Sequence, residues 1–461
     1  PLPPAIPAGM VFAAIKSFPR DSAPGPSGLR VQHLLDALTP ARRTTVLEQL
    51  AACILILARG DVPLSIAPFL AGASLMALEK KSGGLRPIAV GEVMRRIVGK
   101  VLCKEVKEST QRHFWPRQVG VGSPLGADCA VHCVHQWCSR HADCHDKVVL
   151  KLDFENAFNT IDREKALAEL RTHFPGLSRW AHWCSGAHTK LFFGNFNLAS
   201  DSGVQQGDPL GPLLFALCIH PTVLQLDLLL REGPHADPAS LSLFYLDDGI
   251  ICGSAEAVSK GLQFIMEESS RLGLRLKISK CELVVPAGRT SKDLPALFPR
   301  GLLVDSRGND RVIWSGGFEF LGAPIGNQAF CESHAAGRVQ QAKSLLTTIS
   351  DLPDPQVGLR LIRVCAGFCR LVYSARVVSP DAHRGSLRQF DELTRNSVCD
   401  LLGLDLTDRH WAQAGRSFRT AGLGLRSSER HAACAYVASR AATKDKCMEI
   451  DPHFIWNIDT D

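Results

Sequence analysis

The sequence predicts an α+β protein, and three stretches carry that expectation. Phe244-Tyr245-Leu246-Asp247-Asp248-Gly249, followed by Ile250-Ile251-Cys252, places strand-forming residues on both sides of an Asp/Gly turn, the pattern of a β-hairpin. Val148-Val149-Leu150-Lys151-Leu152-Asp153-Phe154 reads as a second hydrophobic strand, ending in a lone carboxylate 94 positions before Asp247 (247 − 153). From His334 onward the pattern turns mainly helical, at roughly 335–349, 356–378, 384–402 and 427–442. That last region is rich in arginine and reads as a separate helical subdomain.

The hairpin is where chemistry is expected. Two carboxylates at a rigid tip repel each other unless a cation sits between them. With Asp153 on a neighbouring strand end, three carboxylates form a donor set for two divalent ions of the kind used in phosphoryl transfer.

Composition bounds the alternatives. A chain of 461 residues suggests two or three domains or subdomains, and 45% hydrophobic with 21% charged residues describes a globular protein rather than a disordered one. The net charge of +6 and pI of 8.6 suit a polyanionic partner without demanding one. The apolar run from Ala51 to Ala58 is too short to span a bilayer, so no membrane association is expected. The start, Pro1-Leu2-Pro3-Pro4, lacks the marks of a signal peptide and an initiating Met, which suggests a piece of a longer polypeptide. Sixteen cysteines, most inside apolar segments, then read as reduced, buried thiols of an intracellular protein. His132, Cys133, His135, Cys138, His141, Cys144 and His145 are zinc-like in type, but not in spacing; a helix with buried thiols and exposed histidines is the simpler reading.

Along the chain, residues 10–18 look helical, and Pro19 to Gly28 break the pattern before a second helix from Val31 to about Leu38. Leu75-Met76-Ala77-Leu78-Glu79-Lys80-Lys81 and Leu85-Arg86-Pro87-Ile88-Ala89-Val90 flank Ser82-Gly83-Gly84, which predicts a hairpin with Lys80, Lys81 and Arg86 near its tip. Such a cationic tip is either a solvated turn or a clamp for a triphosphate. Val93 to Lys107 follows as a basic amphipathic helix whose Arg95, Arg96, Lys100 and Lys104 meet nucleic-acid phosphates or only solvent. Asn156 to Leu170 turns helical, with Phe158 five positions after Asp153, either in the core or beneath a nucleotide sugar.

Gly203-Val204-Gln205-Gln206-Gly207-Asp208-Pro209-Leu210-Gly211-Pro212 opens a strongly apolar helix. Gly207 permits close backbone approach and Gln206 offers an amide, so this loop is expected to line the cleft. Ala255 to Leu272 reads as an amphipathic helix, and Leu274-Arg275-Leu276-Lys277-Ile278 alternates as a strand. Lys280 is a candidate general acid for a leaving group, or a surface lysine. Residues 284–317 look irregular, and Phe318-Glu319-Phe320-Leu321-Gly322 resumes as a strand.

Taken together, the ordered set resembles the reverse transcriptase domain of non-LTR (LINE-type) retrotransposons. The matching pieces are Gly-Pro-Ser-Gly-Leu at 25–29, Leu-Arg-Pro-Ile at 85–88 and Leu-Asp-Phe-Glu-Asn-Ala-Phe-Asn-Thr-Ile-Asp at 152–162. They continue with the glutamine loop and its helix start at 203–215, Tyr-Leu-Asp-Asp at 245–248, Lys280, and Phe-Glu-Phe-Leu-Gly at 318–322. Two weaker matches, at 352–356 and 422–426, extend into the helical region. The resemblance implies a right-hand polymerase fold: an N-terminal flank at 1–20, fingers and the start of the palm at 21–145, a palm with an antiparallel sheet at 146–325, and a helical thumb at 326–461.

It further implies that Asp153, Asp247 and Asp248, with the carbonyl of Phe154, hold two Mg²⁺ ions, for which Mn²⁺ can substitute. Lys80, Lys81 and Arg86 would meet the triphosphate, Gln206 and Gly207 the nucleotide and template, and Tyr245 the substrate side of the turn. Phe158 would crowd out a ribose 2′-hydroxyl. The implied partners are an RNA template, a DNA primer and dNTPs, and retroelement DNA synthesis implies access to the nucleus. Asn159 stands where the family often has Asp, and Gly211 where Ser is common. With no endonuclease or zinc-knuckle pattern in the segment, target cutting is not assigned to it. The competing expectations are a decayed or repurposed copy that only binds RNA, an RNA-templated RNA polymerase, and a group II intron protein.

Overall fold

The computed structural model describes residues 1–79, 85–185, 189–314 and 316–457. Helices α1 (Ala8–Lys16), α2 (Val31–Ala37), α3 (Arg43–Ala58) and α4 (Ala67–Leu70) precede the first strand. Val11 and Ile15 of α1 pack with Ile54 and Ala58 of α3, all fully buried. Strands β1 (Ala73–Glu79) and β2 (Leu85–Gly91) then pair antiparallel, from Ala73 opposite Gly91 to Glu79 opposite Leu85. This is the expected hairpin; its tip, with Lys80 and Lys81, lies outside the described residues.

The expected basic helix divides into α5 (Val93–Glu105) and α6 (Lys107–Phe114). Arg95 is not on its solvent face: it is buried in line with Val98, Gly99 and Leu102, at helical spacings of three, four and seven. Helix α7 (Gly126–Arg140) leads to β3 (Lys147–Leu152). The single helix expected after β3 is two, α8 (Ala157–Thr160) and α9 (Arg163–His173), because Asp162 turns out of the helix and caps the second through the Lys165 N–H at 3.1 Å. Helix α10 (Pro175–Ser185) and the hairpin β4 (Thr189–Phe193) and β5 (Phe196–Ser200) follow. β1 pairs parallel with β4, giving a fingers sheet in the order β2-β1-β4-β5.

The palm sheet is antiparallel throughout. α11 (Gly211–Glu232) leads into β6 (Leu241–Tyr245) and β7 (Asp248–Ser254), and α12 (Ala255–Arg271), capped by Ser254, leads to β8 (Glu282–Val284). The order is β6-β7-β3-β8. By length and composition α11 passes as a membrane span, yet two thirds of its most apolar window is buried in the fold, with Phe215, Leu217 and Ile219 in the core. The strand expected at 274–278 does not form: only Leu276 makes a bridge, to Phe154, and Lys277 turns its N–H onto the Asp153 carbonyl at 2.8 Å. The stretch expected to be irregular contains two short helices, α13 (Leu294–Leu297) and α14 (Arg300–Leu303). The next strand is a hairpin, β9 (Gly317–Phe320) with β10 (Ala323–Gly326).

The helical region starts with α15 (Gln328–Ser350), capped by Asn327, and α16 (Pro355–Leu361), capped by Asp354. The long helix expected at 356–378 is interrupted by a π-turn at Ile362–Ala366 and a 3₁₀ turn before α17 (Val372–Val377). Helices α18 (Arg384–Leu402), α19 (Asp408–Ala414), which the sequence pattern did not suggest, and α20 (Ser428–Ile450) complete it. Val339, Leu346, Phe390, Val398 and Leu401 form its own core.

Helix α20 runs back onto α7, which settles where the histidines and thiols of that helix go. His132 is buried rather than exposed, 3.1 Å from the Ser439 hydroxyl, and Cys133 lies 3.7 Å from the Cys447 carbonyl. His141 Nδ1 lies 2.8 Å from the Trp137 carbonyl. Asp128 of α7 also accepts a two-pronged bond from Arg376 of α17, at 2.9 and 3.2 Å.

Candidate active site

The palm sheet brings the predicted acids to one end. β3 and β7 pair antiparallel up to Leu152 opposite Gly249, so the next step along that register sets Asp153 across from Asp248. β6 and β7 close at Tyr245 opposite Asp248, leaving Leu246 and Asp247 as the turn. Of these two, only Leu246 has a positive φ, at 58°, a turn position that usually takes glycine. Holding a leucine there costs roughly 1–2 kcal/mol. Asp153 is fixed from its backbone: its N–H donates to Cys281 Sγ at 3.4 Å and its carbonyl accepts from Lys277. The Glu155 N–H donates to the Arg275 carbonyl at 2.8 Å, which holds the buried Phe154 between two anchored neighbours.

Electrostatics report the crowding. Desolvation by the surrounding chain, then the charge of Asp247, then that of Asp153, push the Asp248 carboxyl up to about 6, although its outer side meets solvent. Asp247 is raised by desolvation and by Asp153. Arg86 of β2 acts on both in the opposite direction, so the fingers strand lies within electrostatic reach of the carboxylates. Among the described residues no three His, Cys, Asp or Glu side chains are drawn up into a ready metal cage. The donors are hard carboxylate oxygens, which suits Mg²⁺ or Mn²⁺ rather than a thiophilic ion.

A group whose folded pKa is raised favours the folded state at low pH, and that advantage disappears as pH rises through the folded value. For Asp248 the window runs from about 4 to about 6. In chelator-treated protein at pH 7, Asp248→Asn should therefore raise Tm, by roughly 1–3 °C given the solvent on its outer side. Thermal melts across pH should show the gap closing by about pH 4. A gap independent of pH would mean that neither desolvation nor repulsion penalises the Asp248 carboxylate.

The other predicted site residues are tied to neighbouring elements. In α8, Phe158 is half-buried and stacks on Phe215 at 4.7 Å and 10°. Its carbonyl accepts from the Val204 N–H at 2.6 Å, so the turn carrying Phe158 is tied to the glutamine loop. Arg163 reinforces the tie through the carbonyls of Ser200, Ser202 and Gly203, at 2.7–2.8 Å. On the other side, the Ala89 N–H of β2 donates to the Gln206 carbonyl at 2.9 Å. Gly207 has φ +120°, and a Cβ there would sit 2.4 Å from the Ala89 carbonyl. The strand with Arg86 and the loop with Gln206 are thus one stitched unit. Tyr245 is half-buried beside the turn, and Lys280 is exposed on the turn that precedes Cys281, next to Asp153.

The sequence reading missed what holds the loop. Buried Arg95 pairs with Asp208, donates to Gln205 Oε1 at 2.7 Å and also reaches the Ala71 carbonyl. Burial opposes its charge, but Asp208 more than offsets that and leaves the pKa raised. The signal was present as one arginine in an otherwise apolar helical stripe.

The reverse transcriptase (RNA-dependent DNA polymerase) family matches residues 78–325, more than half of the chain. The chain belongs to that family. The match covers β2 of the fingers sheet, the acid-bearing strands, the glutamine loop and all but the last residue of the β9–β10 hairpin, so this reverse transcriptase domain has the right-hand arrangement, its acids on the palm sheet. The chain is similar to a retrotransposable element SLACS 132 kDa protein of Trypanosoma brucei gambiense, 27% identical over 281 residues, or 59% of this chain. It spans 22% of that relative's length. With the motif order, this supports a reverse transcriptase domain of non-LTR retrotransposon type. Among solved structures, apo telomerase from Candida tropicalis aligns over 95% of this chain and 83% of that one, at 11% identity and TM-score 0.45. The same enzyme with a TWJ fragment of telomeric RNA aligns over 82% and 64%, at 11% identity and TM-score 0.43.

Proposed function

We propose that this domain extends the 3′-hydroxyl of a DNA primer with dNTPs on an RNA template, as the polymerase core of a retrotransposon protein with access to the nucleus. The observation that carries the reading is the register that sets the end of β3 against the Asp247-Asp248 turn, with Arg86 in electrostatic reach. Asp153, Asp247, Asp248 and the Phe154 carbonyl would hold two Mg²⁺ ions, with Mn²⁺ as a substitute. When bound, the ions supply an activated primer hydroxyl and charge neutralisation on the triphosphate and pyrophosphate.

The chain's own groups do the rest. Arg86, with Lys80 and Lys81 from the hairpin tip, offsets triphosphate charge. Gln206 and Gly207 orient the nucleotide against the template, and Tyr245 packs beside the carboxylate turn. Lys280 gives a proton to the departing pyrophosphate. Phe158, braced by Phe215, presses on the sugar where a 2′-hydroxyl would sit.

The test is primer extension by purified protein on an RNA template with Mg²⁺, comparing dNTPs with NTPs. Extension by dNTPs alone is expected. Equal extension by NTPs would point to an RNA-templated RNA polymerase, and tight binding of RNA–DNA hybrid with no incorporation to an inactive RNA-binding fold. Phe158→Val should raise ribonucleotide incorporation by at least about tenfold relative to dNTP, read as the ratio of kcat/KM values. An unchanged ratio would leave Phe158 as core packing.

A further inference from the structure

The segment between α6 and α7 lies against the turn that carries Asp247 and Asp248. Residues 117–119 run along the outer edge of β6: the Phe244 N–H donates to the Arg117 carbonyl at 2.9 Å, and the Val119 N–H to the Phe244 carbonyl at 2.8 Å. Between them Gln118 forms a parallel bridge with Phe244 and is fully buried. Its Oε1 accepts from the Leu246 N–H at 2.8 Å and from the Gly120 N–H at 3.2 Å, and its Nε2 donates to the Leu246 carbonyl at 3.1 Å. Turning the amide over would set donors against donors, so these partners fix its orientation. Gly120 permits the approach: a Cβ there would meet the Leu246 nitrogen at 2.7 Å. Arg117 anchors the segment to Asp227 of α11 at 2.9 Å and to the Ile450 carbonyl at 3.0 Å.

Leu246 is the turn residue with positive φ, and the ladder gives its backbone no partner on the turn itself. We propose that Gln118 is a positioning residue that grips both backbone polar groups of Leu246 and holds it left-handed. In doing so it sets where Asp247 and Asp248 project. The inference rests on the reading of these acids as metal ligands. Gln118 touches no substrate; it acts through the turn.

The test uses the full chain and Gln118→Met, which keeps an unbranched side chain of similar length but has no amide. Mn²⁺ affinity, followed by the electron paramagnetic resonance of free Mn²⁺, should weaken about tenfold. In primer extension kcat should fall with it, while the dNTP KM stays within about twofold. Adding Leu246→Gly to Gln118→Met should recover at least about threefold in Mn²⁺ affinity, because glycine adopts positive φ without strain. A part that was only structural would give the opposite, since losing the leucine would deepen the damage. Wild-type affinity in Gln118→Met, or no recovery in the double variant, overturns the inference.

If Gln118→Met does not fold, the unaltered protein decides. Its Leu246 amide should exchange with deuterium at least about 100-fold more slowly than in an unstructured peptide, and exchange at the peptide rate overturns the grip. Asp247→Ala/Asp248→Ala is the control that separates the two claims. If it still binds Mn²⁺ like the wild type, the metal reading itself fails; if it loses Mn²⁺ while Gln118→Met does not, only the Gln118 inference fails.

Discussion

Primer extension by the Asp247→Ala/Asp248→Ala variant is expected to fall roughly 10⁴-fold or more, to the background of the assay. The two carboxylates occupy the turn and the first position of β7, and Glu282 of β8 is committed to Lys151 at 2.7 Å. The variant should still fold. In metal-free buffer it should melt no lower than the parent, because the desolvation and the repulsion that raise both pKa values are gone. Added Mg²⁺ should stabilise the parent and not the variant, since an ion that binds only the folded state raises its stability. Single-nucleotide incorporation together with melting curves reads both effects. Persistent extension would mean that the polymerising centre lies elsewhere.

The second large effect is expected at Gly207→Ala, a change of one methyl group. At φ +120° an alanine is strained, and its Cβ would overlap the Ala89 carbonyl of β2. The loop and the fingers strand must separate, which moves Arg86 and Gln206 relative to the acids. A displacement near 1 Å costs on the order of 100-fold in rate, so kcat/KM for dNTPs should drop by about that factor. Gly194→Ala is the control: its φ of +56° brings the same kind of backbone strain, but a Cβ there meets nothing within 4 Å. Gly207→Ala within threefold of the parent, or an equal loss in Gly194→Ala, would contradict the stitched loop.

What could be read from sequence was what is local. The alternation around Asp247-Asp248 and the apolar run ending at Asp153 encode their strands through side-chain pattern and turn chemistry, which need no knowledge of partners. The alternation at 274–278 was equally good, yet it pairs only at Leu276, where the Lys277–Asp153 and Glu155–Arg275 bonds close a single bridge to Phe154. How far a segment pairs depends on the length of its tertiary partner, which leaves no mark on its own pattern. The order β6-β7-β3-β8 and the parallel pairing of β1 with β4 are likewise set by long-range packing.

Arg95 and Gln118 were missed for different reasons. Arg95 interrupts an apolar stripe and could have been found by its position on the helix. Gln118 bonds to backbone 128 residues away, and nothing in its neighbours announces a fold-wide contact. Lys80 and Lys81 lie outside the described residues, so their part in the clamp stays with the proposal.

If three acids from two strands act as one ligand set, two ions should bind between them, and counting ions tests that most directly. Mn²⁺ titrated into the full chain with RNA template, DNA primer and a non-hydrolysable dNTP should show two bound ions per polymerase. Asp153→Asn should weaken both, because Asp153 faces the couplet across the sheet. Two ions that bind Asp153→Asn as tightly as the parent would show that Asp153 and the Asp247-Asp248 turn do not share a site.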